Sequence, residues 1–346
     1  MASVTYLGID LHAKNSWLYA FDDEGEVLLN APAPNDWKAL APALARCPGR
    51  IVAAVEAGGN WPWLVYGLQQ RGCEVRLLHP NSVAPYRQSR AKNDRIDAAL
   101  LASLAAEPWR AKGAWICPDD WLWLRAQLRA RQQLIGQRTM VRNRIHGLLK
   151  QDNRRPPVGA IFGPVGQAWL QEQELPEGMR HALQPLQAVE QAIDRQVERL
   201  EKRLWPLIKD NPLMKRLAAL PQAGPVTAVT IVLESGDLAR FRHTRAYVAH
   251  CGLAPWTFES AGKRRYAKLC PLSNQTLKVA YAEWAFRLLT RGGPAWAKVR
   301  ESYGDHPTGR AKILLARKLA AAVRALAVRG EEMVIAKFIR RAAPVA

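Results

Sequence analysis

Four carboxylates along the first hundred residues are spaced so that they could do phosphate chemistry. Asp10 ends the apolar run Val4 to Ile9, Glu56 ends the run Ile51 to Val55, and Asp94 and Asp97 open a helical pattern one turn apart. At i and i+3 the last two project from one helix face. Taken singly, each acid has an ordinary explanation: an Asp after a strand forms turns, and acids in a helix's first turn complement its dipole. Brought together they repel, and hard cations with a preference for oxygen ligands relieve that repulsion. Mg²⁺ is the expected guest, with Mn²⁺ as its substitute. Two such ions about 3.5–4 Å apart support in-line displacement at a phosphodiester.

The chemistry depends on the elements that would bring the acids together. Val4 to Ile9, Ser16 to Phe21 and Val27 to Leu29 read as strands, the last two separated by the turn residues Asp22-Asp23-Glu24-Gly25. Asn35 is an N-cap candidate for a helix over Trp37 to Leu44. A buried strand over Ile51 to Val55, a helix over Trp61 to Gln70 and a strand over Val75 to Leu78 follow. That succession is the one of an RNase H-like α/β fold, in which the first and fourth strands are neighbours. The helix carrying Asp94 and Asp97 would pack beside them, so all four acids would converge.

The chain has 346 residues, enough for more than one core. Its 50 Lys and Arg against 30 Asp and Glu give a formal charge of +20, which points to a polyanionic partner. From about Trp121 to Lys150 a long helix carries Arg125, Arg129, Arg131, Arg138, Arg142, Arg144 and Lys150 with almost no acids of its own. Such a helix would be a rail for a phosphate backbone. Leu186, Val189, Ile193, Val197, Leu200, Leu204 and Leu207 then recur at three- and four-residue steps. This is a short coiled-coil pattern, which either joins two copies or closes a hairpin within one chain. From about Met214 the chain is mainly helical, with a loop-rich insertion from Cys251 to Asn274. The five cysteines are odd in number and widely spaced, without a CxxC pair. They read as reduced thiols in a cytoplasmic protein. No apolar run reaches the roughly 18 residues of a membrane span, and no signal peptide is evident.

On specific motifs the sequence resembles the DEDD transposases of bacterial insertion sequences, the bridge-RNA-guided recombinases that also include Piv-type invertases. The matching stretches are Gly8-Ile9-Asp10, Val55-Glu56-Ala57, Lys92-Asn93-Asp94-Arg95-Ile96-Asp97-Ala98 and Arg142 to Leu149, then Leu220 to Ala228 and Gly252-Leu253-Ala254-Pro255. The resemblance implies a RuvC-like catalytic domain (1–110), a basic helix, linker and coiled-coil segment (111–212), and a mainly α C-terminal transposase domain (213–346). It implies a homo-oligomer (dimer or tetramer), DNA as substrate, a structured guide RNA and a bacterial, nucleoid-associated setting. It further implies a nucleophilic serine. Ser260, in Glu259-Ser260-Ala261-Gly262, matches best and is followed by Lys263, Arg264 and Arg265, whose cations would neutralise charge developing on phosphate. The alternative, Ser273, precedes a helical run and is better explained as an N-cap. Leu220 to Ala228 resembles a helix-hairpin-helix turn, with Gln222 where the family has glycine.

Basic contacts to nucleic acid are expected from Arg125, Arg129, Arg138, Arg142, Arg144 and Lys150, as well as from Lys263, Arg264 and Arg265. Two rival readings share the carboxylates or the charge: an RNase H-like nuclease or junction resolvase that needs no serine, and a non-catalytic nucleic-acid binder descended from a transposase. The first would keep its hydrolysis in a Ser260→Ala variant. The second fits poorly with four intact acids, an electrostatically costly set.

Overall fold

Strands β1 (Val4–Leu11), β2 (Asn15–Phe21) and β3 (Val27–Pro34) form the expected antiparallel meander. The computed structural model describes residues 3–87, 93–156, 161–260, 263–269, 273–304 and 309–339, apart from the side chains of 256–260 and 263–268. It divides into two compact units, Met1–Asp119 and Asp120–Ala346.

In the first unit α1 (Trp37–Leu44), β4 (Arg50–Glu56), α2 (Trp61–Gln69), β5 (Glu74–Leu78), the short α3 (Pro80–Val83) and α4 (Asp94–Ala106) follow the meander. The sheet order is β3-β2-β1-β4-β5, with β4 parallel to both β1 and β5. Val52, Ala53, Ala54 and Val55 of β4 are all buried, as a central parallel strand covered on both faces requires. One face packs Leu7, Ile9 and Val55 against Leu40 and Leu44 of α1 and Leu64, Val65 and Leu68 of α2. The other packs Val52 and Ala54 against Leu101, Leu104 and Ala105 of α4.

Helix α4 approaches β1 closely because both surfaces are small at the crossing. A Cβ on Gly8 would lie 1.9 Å from the Ala98 carbonyl oxygen and 2.3 Å from the Ala102 nitrogen. Asn93 caps the helix by accepting a hydrogen bond from the Arg95 backbone N–H at 3.0 Å, as Asn does well. Its first turn is thereby held at the end of β1.

The second unit begins with the 33-residue α5 (Asp119–Gln151), followed by α6 (Pro164–Gln171) and the 28-residue α7 (Glu177–Leu204). Arg131 pairs with Glu201, Arg138 with Asp194 and Arg142 with Glu190. Each step up α5 is matched by an equal step down α7, so the two helices run antiparallel. Part of the stripe is met inside the chain: Leu186 packs against the cluster of Ile145 and Leu149 of α5, and Leu204 shares a core with Leu128. Val189 of the same stripe is exposed, so the hairpin within the chain does not use the whole of it.

Short helices α8 (Leu207–Asp210) and α9 (Pro212–Ala218) lead to α10 (Gly224–Ser235), in which Thr227 through Ser235 are all buried. Helices α11 (Thr244–His250), α12 (Gln275–Arg291), α13 (Ala297–Tyr303) and α14 (Gly309–Arg329) pack around it. Residues expected to be an irregular insertion instead contain an antiparallel pair, β6 (Pro255–Ser260) and β7 (Lys263–Leu269).

A Gly8→Ala substitution would force β1 and α4 apart, because the atoms in its way are backbone. Overpacking of this kind costs about 1–3 kcal/mol. At roughly 2–8 °C per kcal/mol across domains of this order of size, the melting temperature of the first unit is expected to fall by at least about 2 °C in calorimetry. An unchanged transition would mean that the close crossing does not set the position of α4.

Candidate active site

The carboxylates meet at one end of two adjacent parallel strands. Ile9 of β1 is level with Val55 of β4, so the next residues, Asp10 and Glu56, emerge side by side. Asp94 and Asp97 come from the capped first turn of α4. The electrostatics register the same convergence. Burial pushes the Asp10 carboxyl above its ordinary value; His12 opposes this, while Asp97, Asp94 and Glu56 each add to it.

Two further side chains hold the acids in pairs. His12 Nε2 lies 3.1 Å from Asp10 Oδ2 and 3.3 Å from Asp94 Oδ1. Arg87 forms an ion pair with Glu56, and its Nε lies 3.3 Å from Asp97 Oδ1. Neither residue was singled out in the sequence. The signal for His12 was its place two residues beyond Asp10, on the same side of an extended chain; Arg87 had none, since it lies in a stretch without periodicity.

The residues fit a divalent cation. Asp10 Oδ2 and His12 Nε2 are both buried and neither completes a hydrogen bond despite their proximity. One ligand atom each from Asp10, His12 and Asp94 lie within 4.8 Å of one another. A cavity of about 1130 Å³ opens over Asp10, His12, Glu56, Arg87 and Asp97, larger than the roughly 300–1,000 Å³ of pockets for small ligands.

In the second unit the backbone of Ser260 ends β6 and pairs with Lys263. The side chains of Ser260, Lys263, Arg264 and Arg265 lie outside the described part, as do Lys92 and Cys270. Ser273 is not an N-cap: Asn274 caps α12, its Oδ1 accepting from the Leu277 N–H at 3.1 Å. At the turn between α9 and α10, Gln222 takes the left-handed conformation (φ 57°) that a glycine would take freely. Arg287 Nε donates to its carbonyl at 2.9 Å, and its own side chain donates to the Arg291 carbonyl at 3.1 Å.

The expected basic rail is corrected in part. Arg125 and Arg129 bind Glu234, Arg131 binds Glu201, Arg138 binds Asp194, and Arg142 binds Glu190 and Asp194. The acids missing from α5 are supplied by α7 and α10, so these arginines hold the unit together internally. Arg144 and Lys150 are exposed and form no ion pair among the described residues.

A carboxyl held above its ordinary value binds its proton more tightly in the folded than in the unfolded chain. Ionisation of Asp10 therefore costs stability: the cost is absent below the ordinary value of 3.8 and grows as pH rises through the higher folded value. At pH 7 an Asp10→Asn variant is expected to melt above the wild type in metal-free buffer. Mg²⁺ or Mn²⁺ is expected to raise the wild-type melting temperature and to leave the variant unmoved. A variant that melts lower without metal, or responds to metal as the wild type does, contradicts this reading of the site.

Comparison with known proteins follows the same division. A DEDD transposase model of the IS110 group matches residues 7–153, and a model for the "Transposase IS116/IS110/IS902 family" matches residues 214–300. The chain is 27% identical over 265 residues to the transposase for insertion sequence element IS1328 of Yersinia enterocolitica, covering 76% of this chain and 77% of that one. It is 25% identical over 294 residues to the transposase for insertion sequence element IS1111A of Coxiella burnetii, covering 84% and 79%. A probable family 20 transposase of Pseudomonas aeruginosa is 24% identical over 276 residues, covering 77% and 79%. With one of these models matching across the acid-bearing unit and the other across the helical one, the chain belongs to the IS110 family of DEDD transposases, enzymes that cut and rejoin DNA.

Proposed function

We propose that this transposase moves its insertion sequence by a two-part reaction, in which an RNase H-like carboxylate site and a serine nucleophile act on the same DNA strand under the direction of a structured RNA. The observation that carries the reading is the convergence of Asp10 and Glu56 at neighbouring strand ends with Asp94 and Asp97 of α4. The sheet order supports the RNase H-like assignment.

Asp10, Glu56, Asp94 and Asp97 would hold Mg²⁺, with His12 at the margin of the same set. When bound, the metal supplies positive charge to phosphate oxygens and lowers the cost of charge building up during displacement. The acids fix where the phosphodiester comes to rest, and Arg87 and Arg110, which line the same cavity, contribute cationic groups for flanking phosphates. The Ser260 hydroxyl attacks phosphorus; an Oγ–P bond forms, one P–O bond to deoxyribose breaks, and the hydroxyl proton ends on the released sugar oxygen. The phosphoserine ester conserves the bond energy, so rejoining needs no external energy source. Lys263, Arg264 and Arg265 follow Ser260 in sequence and suit stabilisation of the phosphate as charge develops. Arg144 and Lys150, exposed on α5, are proposed backbone contacts that position the nucleic acid without reading its sequence.

Incubation of the protein with Mg²⁺ and the RNA and DNA ends of its own element is expected to give a protease-sensitive, covalent protein–DNA adduct. Ser260→Ala is expected to abolish the adduct, and Glu56→Gln to reduce its formation at least a hundredfold. Metal-dependent cleavage without an adduct in any of the three proteins would replace the serine reading with hydrolysis by an RNase H-like nuclease.

A further inference from the structure

Glu234 is the most deeply placed carboxylate among the described residues, fully buried in α10 at 0% exposure. An ionised acid in such a place is tolerated only when its oxygens are saturated by good partners. Four donors converge on it. Arg129 Nε donates to Oε1 at 2.8 Å and Arg129 Nη2 to Oε2 at 2.9 Å, a two-pronged contact; Arg125 Nη2 donates to Oε2 at 2.9 Å. The fourth donor is Asn274 Nδ2, at 2.9 Å. Burial alone would raise the Glu234 carboxyl, and the Arg129 hydrogen bond, the two arginine charges and Asn274 together hold it below its ordinary value.

The last partner gives this cluster a consequence beyond core stability. Asn274 stands at the foot of the β6–β7 arm, between that arm and α12. Its backbone N–H donates to the His250 carbonyl at 2.9 Å, on the strand-entry side of the arm. Its Oδ1 caps α12 through the Leu277 N–H. The two feet touch directly: a Cβ on Gly252 would come within 2.3 Å of Ser273 Oγ. The entry foot is held from the other side by Arg317 Nε, which donates to the Leu253 carbonyl. The Asn274 amide thus joins Glu234 through Nδ2 and the start of α12 through Oδ1, at the point where the chain returns from the arm to the helical core.

We propose that Glu234 is a positioning residue for strand transfer: its buried carboxylate, braced by Arg125 and Arg129 of α5, anchors Asn274 and so sets the direction of the β6–β7 arm that ends β6 on Ser260. The proposal rests on Ser260 being the nucleophile only for its effect on rate; the anchoring itself is independent of that reading. A buried ion cluster that served the core alone would need no bond to the foot of an arm. The arm itself is a two-stranded pair, which has little stability of its own, so its direction depends on what holds its ends.

The test uses the full chain with its RNA and DNA ends, and three variants. Glu234→Gln keeps shape and removes the charge. Asn274→Ser keeps a helix-capping side chain but is too short to reach Glu234, and keeps the variant set informative should Glu234→Gln fail to fold. The double variant tests whether the two act through one contact. Amide hydrogen exchange over residues 255–269 is expected to speed up at least tenfold in Asn274→Ser, with exchange in α10 and α14 unchanged. At saturating DNA the rate of covalent adduct formation is expected to fall at least tenfold, with DNA affinity within twofold of wild type, and the double variant to be no slower than the worse single one. Unchanged exchange in the arm, or equal acceleration across α10 and α14, overturns the proposal and leaves Glu234 a core ion pair. Faster exchange in the arm with an adduct that also survives Ser260→Ala would keep the anchoring and refute the nucleophile assignment.

Discussion

Mutual repulsion among Asp10, Glu56, Asp94 and Asp97 is the constraint to which the first unit answers. Carboxylates gathered at the ends of β1 and β4 and the first turn of α4 destabilise any fold that does not force them there. The force comes from apolar packing on both faces of a central parallel strand and from a helix that crosses β1 against a bare glycine. Residual repulsion is reduced by an internal counter-charge, Arg87, which spans Glu56 and Asp97; His12 lies between Asp10 and Asp94. Burial first, and the neighbouring acids after it, raise the Asp10 carboxyl. Binding sites commonly store strain of this kind, because the ligand that relieves it is then bound more tightly.

The second unit solves a different electrostatic problem. Its longest helix is so basic that it would repel itself and its neighbours, yet five of its arginines form ion pairs with four acids of α7 and α10. These pairs are partly or wholly desolvated, so they specify register and orientation more than they add net stability. Arg144 and Lys150 are exposed cations of α5 that form no ion pair among the described residues, and Arg129, half exposed, shares one carboxylate with Arg125.

The sequence was most legible where local pattern and tertiary role agree. The apolar runs ending in Asp10 and Glu56, the turn at Asp22–Gly25 and the helix opened by Asp94 and Asp97 each carry their own signal, and each forms the expected element. Legibility failed where the partner is remote. Nothing near Arg125 or Arg138 in sequence announces Glu234 or Asp194, so a helix without acids looked unopposed. Arg87 belongs to a stretch with no periodicity, and its role follows only from geometry. At the β6–β7 arm the beta-forming residues Thr257, Phe258 and Tyr266 flank an Ala-Gly pair, which lacks the Asn-Gly or Asp-Gly signature of a tight hairpin. Gln222 shows the opposite failure: a residue unlike the family's glycine takes the glycine conformation because Arg287 and the Arg291 carbonyl hold it there.

The account stands or falls on whether the four acids are one metal site. Anomalous diffraction from crystals of the protein soaked in Mn²⁺ would locate the ion directly. The expected result is density bounded by Asp10, Glu56, Asp94 and Asp97, with Arg87 withdrawn from Glu56 to admit it. Absence of a peak at these acids under saturating Mn²⁺, or a peak confined to other residues, would contradict the account.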